Sequence, residues 1–228
     1  MATTLELPEL HDIDCATEIV PPHWVDDDEI IALERQYKPL LFERFADGTL
    51  LVTPPAGWKS SSHNVELVRQ VGNWARSGNP GLVMGPDGGV GFPDGALLAP
   101  DLTYVSLERW AAAHHEPTFA YAVPDAAFEL LSVSDRIATT RRKLQGYLRN
   151  GVRLAVLIDP RRRHVYVGRE GDVEPQDLGW IERLDCSPAM PGFVLDVAAV
   201  CAASDMVGQD ADEHDAGGEH SGGHSPQT

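Results

Sequence analysis

Asp101, Glu129 and Lys143 are the residues of this 228-residue chain whose types and placement suggest chemistry. Asp101 follows Pro100 at the mouth of a short apolar run, Glu129 lies inside the next such run, and Lys143 falls in the amphipathic stretch after it. Two carboxylates that converge across adjacent strands can hold a hard divalent cation, and a nearby ammonium can orient or activate the water that attacks a phosphodiester. Metal-dependent phosphodiester hydrolysis is the chemistry such a set would perform.

Each of the three also has an ordinary structural use. Pro-Asp occurs four times in the chain. Asp87 and Asp94 are each followed by glycine, and Asp125 comes just after a loop proline, so those three are expected in turns. A strand-starting Asp101 is turn chemistry as well. Glu129 interrupts AAFELLSV (126–133), the most apolar strand-like run, where a lone ionised carboxylate is costly unless a cation or hydrogen-bond donors meet it. That partner could be a metal or one of the nearby arginines. Lys143, beside Arg141 and Arg142, reads by spacing alone as a solvated helix residue that shares a face with Tyr147 one turn later.

The elements that must position these groups follow from periodicity and turn chemistry. A short helix is expected near Asp26–Gln36, with carboxylates in its first turn. LFERFADGTLLVT (41–53) reads as a hairpin around Asp47-Gly48. Helical spacing of Val65, Leu67, Val68, Val71 and Trp74 predicts a first long helix from about Ser61 to Ala75, capped by Ser61 or Ser62. Short apolar runs at 82–84 and 102–105, divided by Pro-Asp-Gly turns, predict strands of a meander, with a helical or irregular excursion near 107–113. A strand at 126–133 leads into a second long helix from about Ser134, capped by Ser134 or Asp135 and stopped by Asn150-Gly151. Strands at 154–158 and 164–167 follow, and a strand or short helix near 193–200 closes the fold.

Length and 43% hydrophobic content allow one good core. The expected organisation is an acidic approach segment at 1–30, one domain at 31–203, and a disordered, acidic His- and Gly-rich tail at 204–228. His214, His220 and His224 belong to that tail and receive no catalytic task. Cys15, Cys186 and Cys201 lack paired spacing, which argues against a disulfide framework or a thiolate zinc site and fits a reducing cytoplasm. No signal-like or membrane-spanning run is present, so a soluble cytoplasmic protein is expected.

The net charge of −17 sits mostly in the ends. Residues 1–30 hold nine acids and 204–228 hold six, with no Lys or Arg in either; 20 acids against 18 bases remain between 31 and 203. Residues 135–163 carry nine bases against two acids, around Lys143. Such a stretch is either a solvated helix face plus a turn or a surface that neutralises phosphates, with Arg136, Arg141 and Arg142 tracking the backbone. The acidic ends could fold back over it.

Several stretches together resemble the Uma family of restriction-endonuclease-like proteins, a branch of the PD-(D/E)XK nuclease superfamily. They are FERFADGTLLVTPP (42–55), His63, PDGALLAPDLTYVS (93–106), FELLSVSDR (128–136), Lys143 with Tyr147, GVRLAVLIDPRRRHVYVGREG (151–171) and PGFVLDVAAV (191–200). The resemblance implies an α/β fold whose core is a central mixed β-sheet flanked by helices. It implies Asp101 and Glu129 as ligands of Mg²⁺ or Mn²⁺, Lys143 as the catalytic lysine, and nucleic acid, in the first instance DNA, as substrate. Position 131, where the superfamily usually places its lysine, is Leu131, so Lys143 would reach the site from the helix. Glu43 and His63 match further positions typical of the family. A homodimer fits by analogy with enzymes that cut both strands. The competing reading is a catalytically inactive nuclease fold that serves as a binding or regulatory module.

Overall fold

The computed structural model of the protein describes residue 10 and residues 13–205. In chain order the elements are β1 (Thr17–Ile19), α1 (Asp27–Gln36), β2 (Leu41–Arg44), β3 (Leu50–Thr53), α2 (Trp58–Arg76), β4 (Gly81–Met84), β5 (Val90–Gly91), β6 (Leu97–Leu98), β7 (Leu102–Ser106) and α3 (Leu107–Ala112). They continue with β8 (Ala126–Leu130), α4 (Ile137–Arg149), β9 (Leu154–Asp159), β10 (His164–Arg169), β11 (Gln176–Asp177), β12 (Arg183–Asp185), β13 (Val194–Asp196) and α5 (Val197–Ala202). The tail histidines expected beyond Ser204 lie outside the described residues.

Six strands in the order β11-β10-β9-β8-β7-β4 make the main mixed sheet. Its neighbours are antiparallel except β8 and β9, which run parallel and are joined through α4. A smaller sheet, β1-β3-β2-β6-β5, packs beside it, and β12 pairs with β13. The expected meander after Gly78 is thus divided. β4 and β7 pair directly, while the two-residue strands between them leave for the smaller sheet.

Alternation along the central strands sets which groups face which layer. Phe128 and Leu130 pack with Leu67, Val71, Val156, Ile158, Val197 and Val200, beneath α2 and α5. Ala127 and Leu131 pack on the other face with Leu144, Tyr147, Leu157 and Leu98, beneath α4 and the smaller sheet. Glu129 shares the parity of Ala127 and Leu131, so it enters the layer between the main sheet and α4.

Local chemistry explains most boundaries. Asp26 caps α1 by accepting the Glu29 N–H at 2.9 Å while Glu29 accepts the Asp26 N–H at 3.1 Å, a reciprocal pair that satisfies two free donors. Gly48 takes a φ of +84° in the β2–β3 turn, the conformation the Asp-Gly pair favours. The two long helices begin differently from expectation. α2 starts at Trp58, a turn ahead of the serines, with Gly57 before it and no side-chain cap; Ser62 instead donates back to the Trp58 carbonyl at 3.0 Å. α4 starts after Arg136, also without a side-chain cap, because Asp135 accepts the Ser132 N–H at 2.7 Å and so braces the approach loop instead.

Asp125 lies in the bend just before β8, yet it is buried, and its carboxylate pairs with Arg109 (3.3 Å) and Arg153 (2.9 Å) and accepts the Ser106 N–H (2.7 Å). No helix among the described residues is long and apolar enough to cross a membrane.

Candidate active site

Glu43 from β2, Asp101 from the residue before β7, Glu129 from β8 and Lys143 from α4 all line one cleft of about 540 Å³. The sequence places these groups far apart; the two sheets and α4 bring them together. All but Asp101 are at least 95% buried.

Asp101 is held at both oxygens. Its Oδ2 accepts the N–H of Leu130, the residue after Glu129, at 2.7 Å, and its Oδ1 accepts Asn64 Nδ2 from α2 at 3.2 Å. The two carboxylates therefore stand side by side at one edge of the main sheet. Burial outweighs those hydrogen bonds and the attraction of Lys143, and pushes the Asp101 carboxyl up to about 6.

Glu129 Oε1 accepts from Tyr147 at 2.5 Å and lies 2.8 Å from Lys143 Nζ. Its environment also favours the protonated form. Burial raises it, Lys143 opposes, and Asp101 and Glu43 add repulsion, so the carboxyl is pushed up to about 8. Lys143 Nζ also lies 2.9 Å from Glu43 Oε1 and donates to the Ala99 carbonyl at 3.4 Å. Burial alone would lower its pKa, but the two carboxylates outweigh burial and hold the ammonium charged. Tyr147 is shifted well upward, first by burial and then by Glu129, so it stays a neutral donor.

The structure thus brings Asp101, Glu129 and Lys143 together and adds Glu43 and Tyr147. It separates His63, which is buried against Ser204 Oγ at 3.0 Å rather than turned into the cleft. Of the two partners open to Glu129 from sequence, an arginine is not the one used: the counter-ion is Lys143. Lys143 is not a solvated helix residue, since the smaller sheet covers its face of α4 with Glu43. Asn64 is the member that sequence reasoning missed. A polar residue one step from His63 in an amphipathic helix carries no signal of its own; only the approach of α2 to the start of β7 reveals it.

Several residues fit a hard divalent cation. Glu43, Asp101 and Glu129 offer carboxylate oxygens, the donor type that Mg²⁺ and Mn²⁺ prefer. Asn64 Oδ1, beside Asp101, is buried with no hydrogen-bond partner among the described residues. With Lys143 lodged between Glu43 and Glu129, however, no three His, Cys, Asp or Glu residues among those described are grouped as a ready ligand cage. The donor chemistry fits, on condition that the ammonium yields one carboxylate.

The basic stretch around α4 is largely spent on internal contacts. Arg142 pairs with Glu18 at 2.9 Å and Asp47 at 2.6 Å, and Arg141 lies over the Tyr166 ring. Arg136 alone of the three lines the cleft.

A family model named Uma2 and described as "Putative restriction endonuclease" matches residues 27–198. Among solved structures, the chain is similar to one titled as a putative nuclease belonging to DUF820 from Anabaena variabilis, with a TM-score of 0.60 and 17% identity over 72% of this chain and 90% of that one. At that identity the likeness speaks for the fold. No curated protein matches.

Proposed function

From the premise that this chain belongs to the Uma2 family, we propose that the cleft hydrolyses phosphodiester bonds of nucleic acid, DNA in the first instance, with a divalent cation as cofactor. One observation carries the reading. Three carboxylates and one ammonium, buried or hydrogen-bonded in one cleft, sum to a formal −2. A group of that charge out of water calls for a dication or for protons, and burial raises the carboxyls of Asp101 and Glu129 in keeping with that demand.

Asp101 and Glu129 would hold Mg²⁺ or Mn²⁺, with Glu43 and Asn64 Oδ1 as further oxygen donors. The bound ion would supply Lewis-acid polarisation of the scissile phosphate and a more acidic water. The chain's own groups do the rest. Asn64 and the Leu130 N–H orient the Asp101 carboxylate, and Tyr147 fixes Glu129 Oε1. Lys143, kept charged, offsets the negative charge that builds on the phosphate as the bond breaks. Arg136 at the cleft wall meets a flanking phosphate.

Asp101→Ala should abolish cleavage of DNA in Mg²⁺ while binding of the same DNA in Ca²⁺ persists; cleavage at the wild-type rate would remove Asp101 from the reaction. One observation favours a second reading, an inactive nuclease fold that binds without cutting. The bridge of Lys143 to both Glu43 and Glu129 already serves as an internal counter-ion where a metal would sit. Wild-type protein that binds DNA but neither takes up Mn²⁺ nor cleaves in it would establish that reading instead.

A further inference from the structure

β8 and β9 are parallel, so their carboxyl ends share one edge of the main sheet. Glu129 lies near the end of β8, Asp101 reaches that edge through Leu130, and Asp159 ends β9. The chain then turns into antiparallel β10, and Arg161, Arg162 and Arg163 form the turn. All three are exposed, on the edge that carries the carboxylates, in a turn that begins one strand (about 5 Å) from β8.

This turn is held firmly. Asp159, with no exposed surface, accepts the N–H of Arg161 at 3.1 Å and of Arg162 at 3.0 Å through Oδ1, and the Arg162 guanidinium at 3.0 Å through Oδ2. Arg163 adopts a φ of +55°, where a side chain is strained and glycine is not. Its guanidinium lies 4.1 Å over the Trp180 ring, an aromatic face that orients a cation. A rigid turn that keeps arginine where glycine is easier points to a use for the charge. Arg142 is paired with Glu18 and Asp47, and Arg153 with Asp125. Arg161 has no ion-pair partner among the described residues.

We infer that the Arg161–Arg163 turn is a separate phosphate-binding site that grips the nucleic-acid backbone away from the bond being cut. The inference rests on the nuclease reading of the cleft. Guanidinium forks match phosphate oxygens in geometry and stay charged at any working pH, and contacts of this kind position a substrate without reading its bases.

Fluorescence anisotropy of the full chain in Ca²⁺, with labelled single-stranded DNA, double-stranded DNA and RNA oligonucleotides, tests it by comparing wild type, Arg161→Glu and Arg76→Glu. Arg76 is exposed at the far end of α2, roughly 18 Å along the helix from Asn64, and undergoes the same charge change. Arg161→Glu should bind several-fold more weakly than Arg76→Glu at low salt. Its slope of log affinity against log salt should be shallower than wild type by about 0.7–0.9, the loss of one phosphate contact. Its melting temperature should match wild type, and Arg161→Gln should show the same loss of slope if the reversal proves unstable. Equal affinity and slope for the variants at positions 161 and 76, with wild type binding well, overturns the turn's role and leaves the nuclease reading standing. Wild type that binds none of the three probes overturns both.

Discussion

At the scale of the residue, the site is defined by charges that the fold forces out of water. Asp101 makes the pH dependence explicit. Its folded pKa of about 6 lies above the ordinary value of 3.8, so the native state holds its proton more tightly than the unfolded chain does. Asp101 therefore contributes stability that is fully present below about pH 4 and is lost as pH rises through 6. Asp101→Asn removes the buried charge and gives the unpaired Asn64 Oδ1 a donor to accept from. That variant should melt above wild type at pH 8, and the gap should close toward pH 4 in thermal scans at several pH values. A gap that widens in acid would reverse the sign. Lys143 behaves oppositely. Lys143→Met leaves Glu43 and Glu129 buried without their counter-ion and should cost about 3–5 kcal/mol in denaturant unfolding, with part recovered in a Lys143→Met/Glu129→Gln double variant. These values were not legible in the sequence. Glu129 stood out because an acid inside an apolar strand demands a partner, but which partner it finds depends on how the layers meet. Lys143 looked like any surface lysine.

At the scale of the element, the pattern of apolar residues and turns made most helices and strands readable. The Asp47-Gly48 hairpin, the two long helices and the paired strands after Gly151 all appear where periodicity puts them. The helix starts were misplaced for one physical reason: Ser62 and Asp135 make hydrogen bonds that compete with capping. The distribution of strands between two sheets was unreadable for another, since two-residue strands such as β5 and β6 carry too little pattern to show their partners. Asp125 binds elements together in a way that a Pro-Asp pair does not announce. It joins β8 to α3 through Arg109 and Ser106 and to the start of β9 through Arg153. Asp125→Ala should destabilise by about 2–3 kcal/mol, below the range for a fully buried pair because both arginines keep solvent contact. Chemical denaturation gives that value, and a loss under about 0.5 kcal/mol, the scale of an ordinary surface change, would show that the contacts are incidental.

At the scale of the whole molecule, a chain of net charge −17 binds a polyanion only if its acids keep clear of the binding edge or can be moved from it. β1 shows one way in which they intrude: it adds to the smaller sheet beside β3 and carries Glu18 onto Arg142 and onto Thr139, which lines the cleft. Glu18→Gln should therefore tighten DNA binding in Ca²⁺ at low salt, an effect that fades as salt screens the charges; unchanged affinity at low salt would mean that Glu18 does not compete with phosphate. The central claim concerns the cleft itself, where Glu43, Asp101 and Glu129 outnumber Lys143. Calorimetric titration of Mn²⁺ into the wild type and Asp101→Asn at pH 8 tests it most directly. Saturable binding of one or two ions by the wild type, lost in the variant, is the expected result; no binding by the wild type, or identical binding by both, would contradict it.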